Sequence, residues 1–132
     1  MSLKASCHCG ATQIALSFQP TAAKSCNCTY CDRTGAIWAY FKPGEVAVQA
    51  EAEATYAPSG MNKHHFCSKC GMQTWGESPD WASVYNVDGT PKPGFEAGSM
   101  PTETILGVNL RLVEDLDWSK VEVEKVDGRN NW

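Results

Sequence analysis

The seven cysteines of this 132-residue chain fall into three tight groups, and this grouping limits what the chain can fold into more than any other feature. The groups are Cys7-His8-Cys9-Gly10, Cys26-Asn27-Cys28-Thr29-Tyr30-Cys31 and Cys67-Ser68-Lys69-Cys70-Gly71. A spacing of one or two residues lets two thiolates reach one metal ion from a single turn. Glycine after the second cysteine supplies the positive φ such a turn needs, with backbone N–H groups left to face sulfur. Disulfides fit less well, because an odd number of thiols cannot all pair within one chain. The start of the chain has no apolar segment of the kind a secretory signal needs. A cytoplasmic, reducing location is therefore expected, where clustered cysteines are more often metal ligands or catalytic thiols. A thioredoxin-like redox pair would need a βαβ pattern, which is lacking. Buried free cysteine is common as a small apolar residue, but it does not predict three tight groups.

A structural zinc takes four ligands in a tetrahedron. Two-cysteine turns usually come in pairs, so Cys7, Cys9, Cys67 and Cys70 are expected to form one closed structural site. It would tie the N-terminal hairpin to the middle of the chain. Iron is the alternative occupant of a four-thiolate site. Cys26, Cys28 and Cys31 remain, and they can face one metal from one loop with the fourth position unfilled by cysteine. His64 or His65 is a candidate for that position, against the commoner reading of a surface or strand histidine. His8 is expected to point outward.

Zinc on three thiolates carries net negative charge, which blunts its capacity to activate water. It is better suited to a fourth, soft ligand. A coordinated thiol is held as thiolate, whereas a free one is mostly protonated at neutral pH. Carbonyl or alkyl chemistry on that sulfur follows. Arg33, two residues past Cys31, is placed to offer a fork to a carboxylate, with Lys24, Lys63 and Arg111 as looser candidates. Trp38, Tyr40 and Phe41 are candidates to wall a pocket beside the loop.

The rest of the chain reads as a single domain over residues 1–132, long enough to build its own core. A formal net charge of −4 argues against a general nucleic-acid or anionic-membrane binder. No apolar run approaches the roughly 18 residues of a membrane span. Turn residues separate short candidate strands, which predicts a mainly-β sandwich or barrel-like domain. In Ala11–Phe18, the side chains Ile14, Leu16 and Phe18 share one face, the period of a half-buried strand. Ile37–Phe41, the Val46/Val48 and Ala54/Tyr56 alternations, Ala82–Val87, Thr104–Val108, Leu110–Val113 and Val121–Val126 are further candidates. Short helices are expected at Thr29–Thr34 and Glu114–Lys120, and a long surface loop over Asp88–Pro101.

Taken in order, C-x-C-G, C-x-C-x-x-C and F-C-x-x-C-G resemble the glutathione-dependent formaldehyde-activating enzymes, a family that also includes centromere protein V. Gly107-Val108-Asn109-Leu110-Arg111, Glu114-Asp115-Leu116-Asp117 and Asp127-Gly128-Arg129-Asn130 add to the likeness, which spans nearly the whole chain. The resemblance implies an Mss4-like (β-tent), zinc-stabilised, mainly-β fold. It implies one structural zinc on Cys7, Cys9, Cys67 and Cys70, and a second, catalytic zinc on Cys26, Cys28 and Cys31. The implied activity is carbon–sulfur lyase chemistry, forming or cleaving the adduct of glutathione with formaldehyde. The partners would be a small thiol and an aldehyde. Asn27 stands where the family often has histidine. The alternative is a non-catalytic, zinc-stabilised binding module of the same fold.

Overall fold

The computed structural model describes residues 3–132. Its strands form two sheets. In the first, β1 (Leu3–Ser6), β2 (Thr12–Leu16) and β5 (Val46–Ala50) pair antiparallel in the order β1-β2-β5. The second contains β3 (Ala22–Cys26), β4 (Trp38–Phe41), β6 (Glu53–Tyr56), β7 (Lys63–Cys67), β8 (Gln73–Pro79), β9 (Thr104–Asn109) and β10 (Glu122–Val126). Their order is β10-β3-β4-β9-β8-β7-β6. All its neighbours are antiparallel except β10 and β3, which run parallel with Val126 opposite Cys26. That pairing brings the end of the chain beside the middle cysteine group.

Alternation decides which faces are buried. In β2, Thr12, Ile14 and Leu16 point inward and Gln13 and Ala15 outward, as the period of a strand with one wet face requires. Leu3, Ala5, Ile14 and Leu16 from the first sheet meet Ala39, Phe41 and Val108 from the second, and Leu110 just past its β9 strand, in one continuous core. The mainly-β, Mss4-like architecture expected above is the one observed.

Four expectations need correction. Ala82–Val87 is not a strand. Residues Trp81–Ser83 form a 3-10 turn, and of the segment only Tyr85 makes a β-bridge, to Pro91 within the following loop. Leu110–Val113 leaves the sheet as a second 3-10 turn, in which the Asn109 side chain accepts from Arg111 N at 3.2 Å. Such local side-chain bonds compete with a sheet ladder. Within Glu114–Lys120 only Trp118–Lys120 is helical, again as a 3-10 turn, capped by Asp117. Phe18 lies beyond the end of β2 and is 42% exposed, its ring 5.3 Å from that of Phe41. The Asp88–Pro101 segment is a strand-free loop, where Tyr85 Oη donates to Ser99 O at 2.8 Å and accepts from Gly98 N at 3.0 Å. No helix among the described residues is long and apolar enough to cross a membrane.

Candidate metal centres

The first and third cysteine groups meet. The turn between β1 and β2 is closed by Cys7 N to Thr12 O (3.1 Å) and Gly10 N to Cys7 O (3.2 Å). The turn between β7 and β8 repeats the device with Cys67 N to Met72 O (3.0 Å) and Gly71 N to Cys67 O (2.8 Å). Both turns need a left-handed residue, and Gly10 (φ 83°) and Gly71 (φ 79°) supply it. The linker between β5 and β6 holds the turns together: Glu51 N donates to Ala11 O at 2.9 Å and Ser68 N to Ala52 O at 3.0 Å.

Cys7 Sγ lies 3.7 Å from Cys9 Sγ, and Cys9 Sγ lies 3.6 Å from Cys67 Sγ across 58 positions of sequence. All four sulfurs fall within 4.8 Å of one another. A tetrahedral zinc with Zn–S bonds of about 2.3 Å would separate its sulfurs by about 3.8 Å, so the four thiols fit that ion. Donors already face them: Thr12 N reaches Cys7 Sγ at 3.2 Å. The Cys9 and Met72 amides lower the Cys70 thiol to about 6, favouring the thiolate a metal binds.

The second group forms its own centre. Cys26 ends β3, Cys28 caps the N-terminus of α1 (Thr29–Thr34), and Cys31 lies inside it. Gly35 closes the helix with its N–H to Cys31 O. The three sulfurs lie within 4.8 Å of one another and are half-buried. Cys28 N donates to Cys26 Sγ and Cys31 N to Cys28 Sγ, each at 3.3 Å. The Gly128 amide also faces Cys26, and the Trp38 indole faces Cys31.

These surroundings separate the three thiols. Burial, then the Cys28 sulfur, raises Cys31; burial also raises Cys26. Burial would raise Cys28 too, but the Cys31 amide and the neighbouring thiols outweigh it and hold Cys28 below its ordinary value. In metal-free protein near neutral pH, Cys28 should therefore be the first of the three to react with iodoacetamide, since the thiolate is the nucleophile. Peptide mapping after brief labelling checks this. Cys31 modified ahead of Cys28 would contradict it.

The other candidates divide. Neither histidine joins the three thiols. His65 is buried with Nδ1 2.8 Å from Thr55 Oγ1 and Nε2 2.8 Å from Glu77 Oε2, so both ring nitrogens have partners. His64 stacks on Tyr30 with ring centroids 4.0 Å apart, and His8 is exposed as expected. Phe41 is buried in the core and walls no pocket. Trp38 and Tyr40 do stand beside the thiols, Trp38 buried and Tyr40 exposed. Lys24 Nζ lies 5.8 Å from the centroid of the Tyr40 ring. Arg111 instead donates Nε to Gly35 O at 2.6 Å, at the end of α1. Arg33 sits on the rim of an open groove of about 490 Å³ lined by Thr29, Tyr30, Tyr56, Pro58 and His64. That volume is within the range of small-molecule sites. Tyr30 is held there by its hydroxyl on Gln73 Oε1, and burial raises that hydroxyl to about 12.

Sequence reasoning gave no role in the centre to Asp127 and Arg129, which reach Asn27 from 100 and 102 positions away. The available signals were the Asp127-Gly128-Arg129-Asn130 run, read only as part of the family likeness, and Asp127 before Gly128 as a capping residue at a helix start.

Fold and centres together define a small two-sheet β protein with a closed four-cysteine knot and a separate, open three-cysteine loop. The chain belongs to the glutathione-dependent formaldehyde-activating enzyme family, whose model matches residues 2–92. It is also similar to a crystal structure of a Rhodobacter sphaeroides protein, a Northeast Structural Genomics target. The two are 26% identical with a TM-score of 0.63, over 93% of this chain and 99% of that one. Comparison with curated proteins gives no match.

Proposed function

We propose that Cys26, Cys28 and Cys31 hold a catalytic zinc, and that the protein adds a small thiol of the glutathione type to an aldehyde such as formaldehyde, or releases it. The single observation behind this reading is the division of the seven cysteines. Four close on one another, while three converge within 4.8 Å with no fourth protein ligand grouped with them among the described residues; the open groove begins at Thr29 and Tyr30, in the same loop and helix as these thiols, and none of the three lines it. Cys7, Cys9, Cys67 and Cys70 are assigned a structural zinc.

Membership of the family supports the substrate class. The donor set supports the ion. Two of the three thiols have raised pKa values, so the group needs a cation to hold three thiolates at neutral pH. When bound, zinc supplies a position at which an incoming thiol is kept as thiolate. The chain's own groups do the rest. The Cys28 and Cys31 amides and the Trp38 indole spread negative charge off the sulfurs. Arg33, its Nη1 on Thr29 O at 2.9 Å, faces the groove where a carboxylate of the thiol would lie. Tyr30, Tyr56 and His64 give the body of that molecule flat surfaces to pack on. Overall, a carbon–sulfur bond forms at the carbonyl carbon and the oxygen gains the thiol proton; cleavage is the reverse.

Glutathione titrated into protein loaded with zinc should bind, and Arg33→Ala should weaken it by about 10-fold, as the loss of one charge-assisted hydrogen bond of about 1.5 kcal/mol implies. Calorimetry against both proteins tests this. Binding that persists undiminished in Arg33→Ala would remove the assigned groove, and no binding to loaded wild-type protein would remove the function.

A further inference from the structure

We propose that the C-terminal turn, Asp127–Trp132, is part of the three-cysteine centre, and that Asn27 and Arg129 are positioning residues holding Cys26 and Cys28 in ligating geometry. The proposal rests on the reading that this centre binds zinc. Its C-terminal half, Asp127–Trp132, lies beyond the 2–92 stretch matched by the family model, and Asn27 lies within it.

Asn27 lies between two of the three thiols, so the orientation of its backbone aims both sulfurs. Every hydrogen-bonding group of that residue that could be tied down is tied to the end of the chain. Its amide N donates to Val126 O at 3.1 Å, continuing the parallel pairing of β3 and β10 by one residue. Its Nδ2 donates to Asp127 Oδ1 at 2.9 Å, and its Oδ1 accepts from Arg129 N at 3.0 Å. Its carbonyl accepts from Arg129 Nε at 3.0 Å. The same guanidinium reaches Asp32 in α1, Nη2 to Oδ2 at 3.3 Å, so it spans from the loop to the helix carrying Cys31. Asp127 is fixed in turn by capping α2 (Gly128–Asn131), where it accepts from Asn130 N at 3.3 Å and Asn130 Nδ2 at 2.8 Å.

Close approach makes the same point. A Cβ on Gly128 would lie 2.7 Å from Cys26 Sγ and 2.8 Å from Trp132 Nε1, distances no side-chain carbon tolerates. Only glycine lets the turn approach the Cys26 sulfur this closely. The network thus forms an outer shell around ligands, which fixes their direction. Its groups are exposed, and exposed polar contacts add little to global stability. Their effect should appear in the metal and not in the fold.

Zinc affinity measured by competition with a chromophoric chelator, alongside melting temperature, tests the proposal in three variants. Asn27→Asp sets a carboxylate against Asp127. Arg129→Ala removes the span to Asp32. Asn27→Asp combined with Asp127→Asn exchanges the two partners, and asparagine still caps a helix. Wild-type protein should hold two zinc ions. The first two variants should bind one of them about 10–100-fold more weakly, with the other ion and the melting temperature unchanged. The exchanged pair should recover most of the lost affinity. Wild-type affinity for both ions in Asn27→Asp and Arg129→Ala overturns the proposal and leaves the functional reading intact. So does loss of both ions together with a lowered melting temperature, which would make the turn a general support of the fold. Wild-type protein that holds a single zinc overturns the functional reading and this proposal with it.

Discussion

Cys67→Ser is expected to give protein that is insoluble or melts far below the wild type. Cys67 is fully buried at the end of β7, and its sulfur lies 3.6 Å from that of Cys9. The four-cysteine centre joins two turns that few other contacts connect: around it only Cys7, Ala11, Ala52, Cys67 and Cys70 pack together. A structural zinc site contributes on the order of 10–16 kcal/mol in isolated fingers, whereas a whole domain nets about 5–15 kcal/mol. Losing one of four thiolates therefore threatens the entire margin. Cys7→Ser should behave alike. A soluble Cys67→Ser protein with an unchanged melting temperature in a thermal scan would refute the structural role.

Cys28→Ser should do the opposite. The three-cysteine loop lies outside the main core, on the end of β3 and a helix of six residues with no buried side chain. A serine can still cap α1, since serine is a favoured N-cap residue. The protein should stay folded and keep about one zinc, by the ligand count of the closed site. Affinity for glutathione should fall below detection, because the zinc that would hold its thiolate is no longer retained. Zinc content, melting temperature and glutathione binding for Cys28→Ser and Cys67→Ser side by side decide between the two readings of the fold. Equal loss of stability in both would make the middle zinc structural, as a binding module requires.

What could be read without coordinates follows from the range of the interactions. The pairing of Cys7 and Cys9 with Cys67 and Cys70 was legible because a tetrahedral ion counts ligands, and only this partition closes one site. The helix at Thr29–Thr34 and the strands around Ile14, Tyr40 and Val48 were legible from local pattern. β3 and β7 were not: Lys63-His64-His65-Phe66-Cys67 is mostly polar, and it is a strand because β6 and β8 pair with it on both sides. Ala82–Val87 failed for the converse reason: it has apolar residues, but its backbone groups bond locally, with Val84 N and Tyr85 N both donating to Trp81 O. Asn27 carried no local sign of its task, because its partners arrive through a parallel pairing with the last strand.

The most direct test of the function is the exchange of formaldehyde with glutathione, followed by NMR in the presence of zinc-loaded wild-type protein and of Cys28→Ser. The wild type should accelerate formation and breakdown of the S-hydroxymethyl (hemithioacetal) adduct, and Cys28→Ser should return the rate to that of buffer. Equal rates with wild type, with Cys28→Ser and with buffer would contradict a catalytic three-cysteine centre.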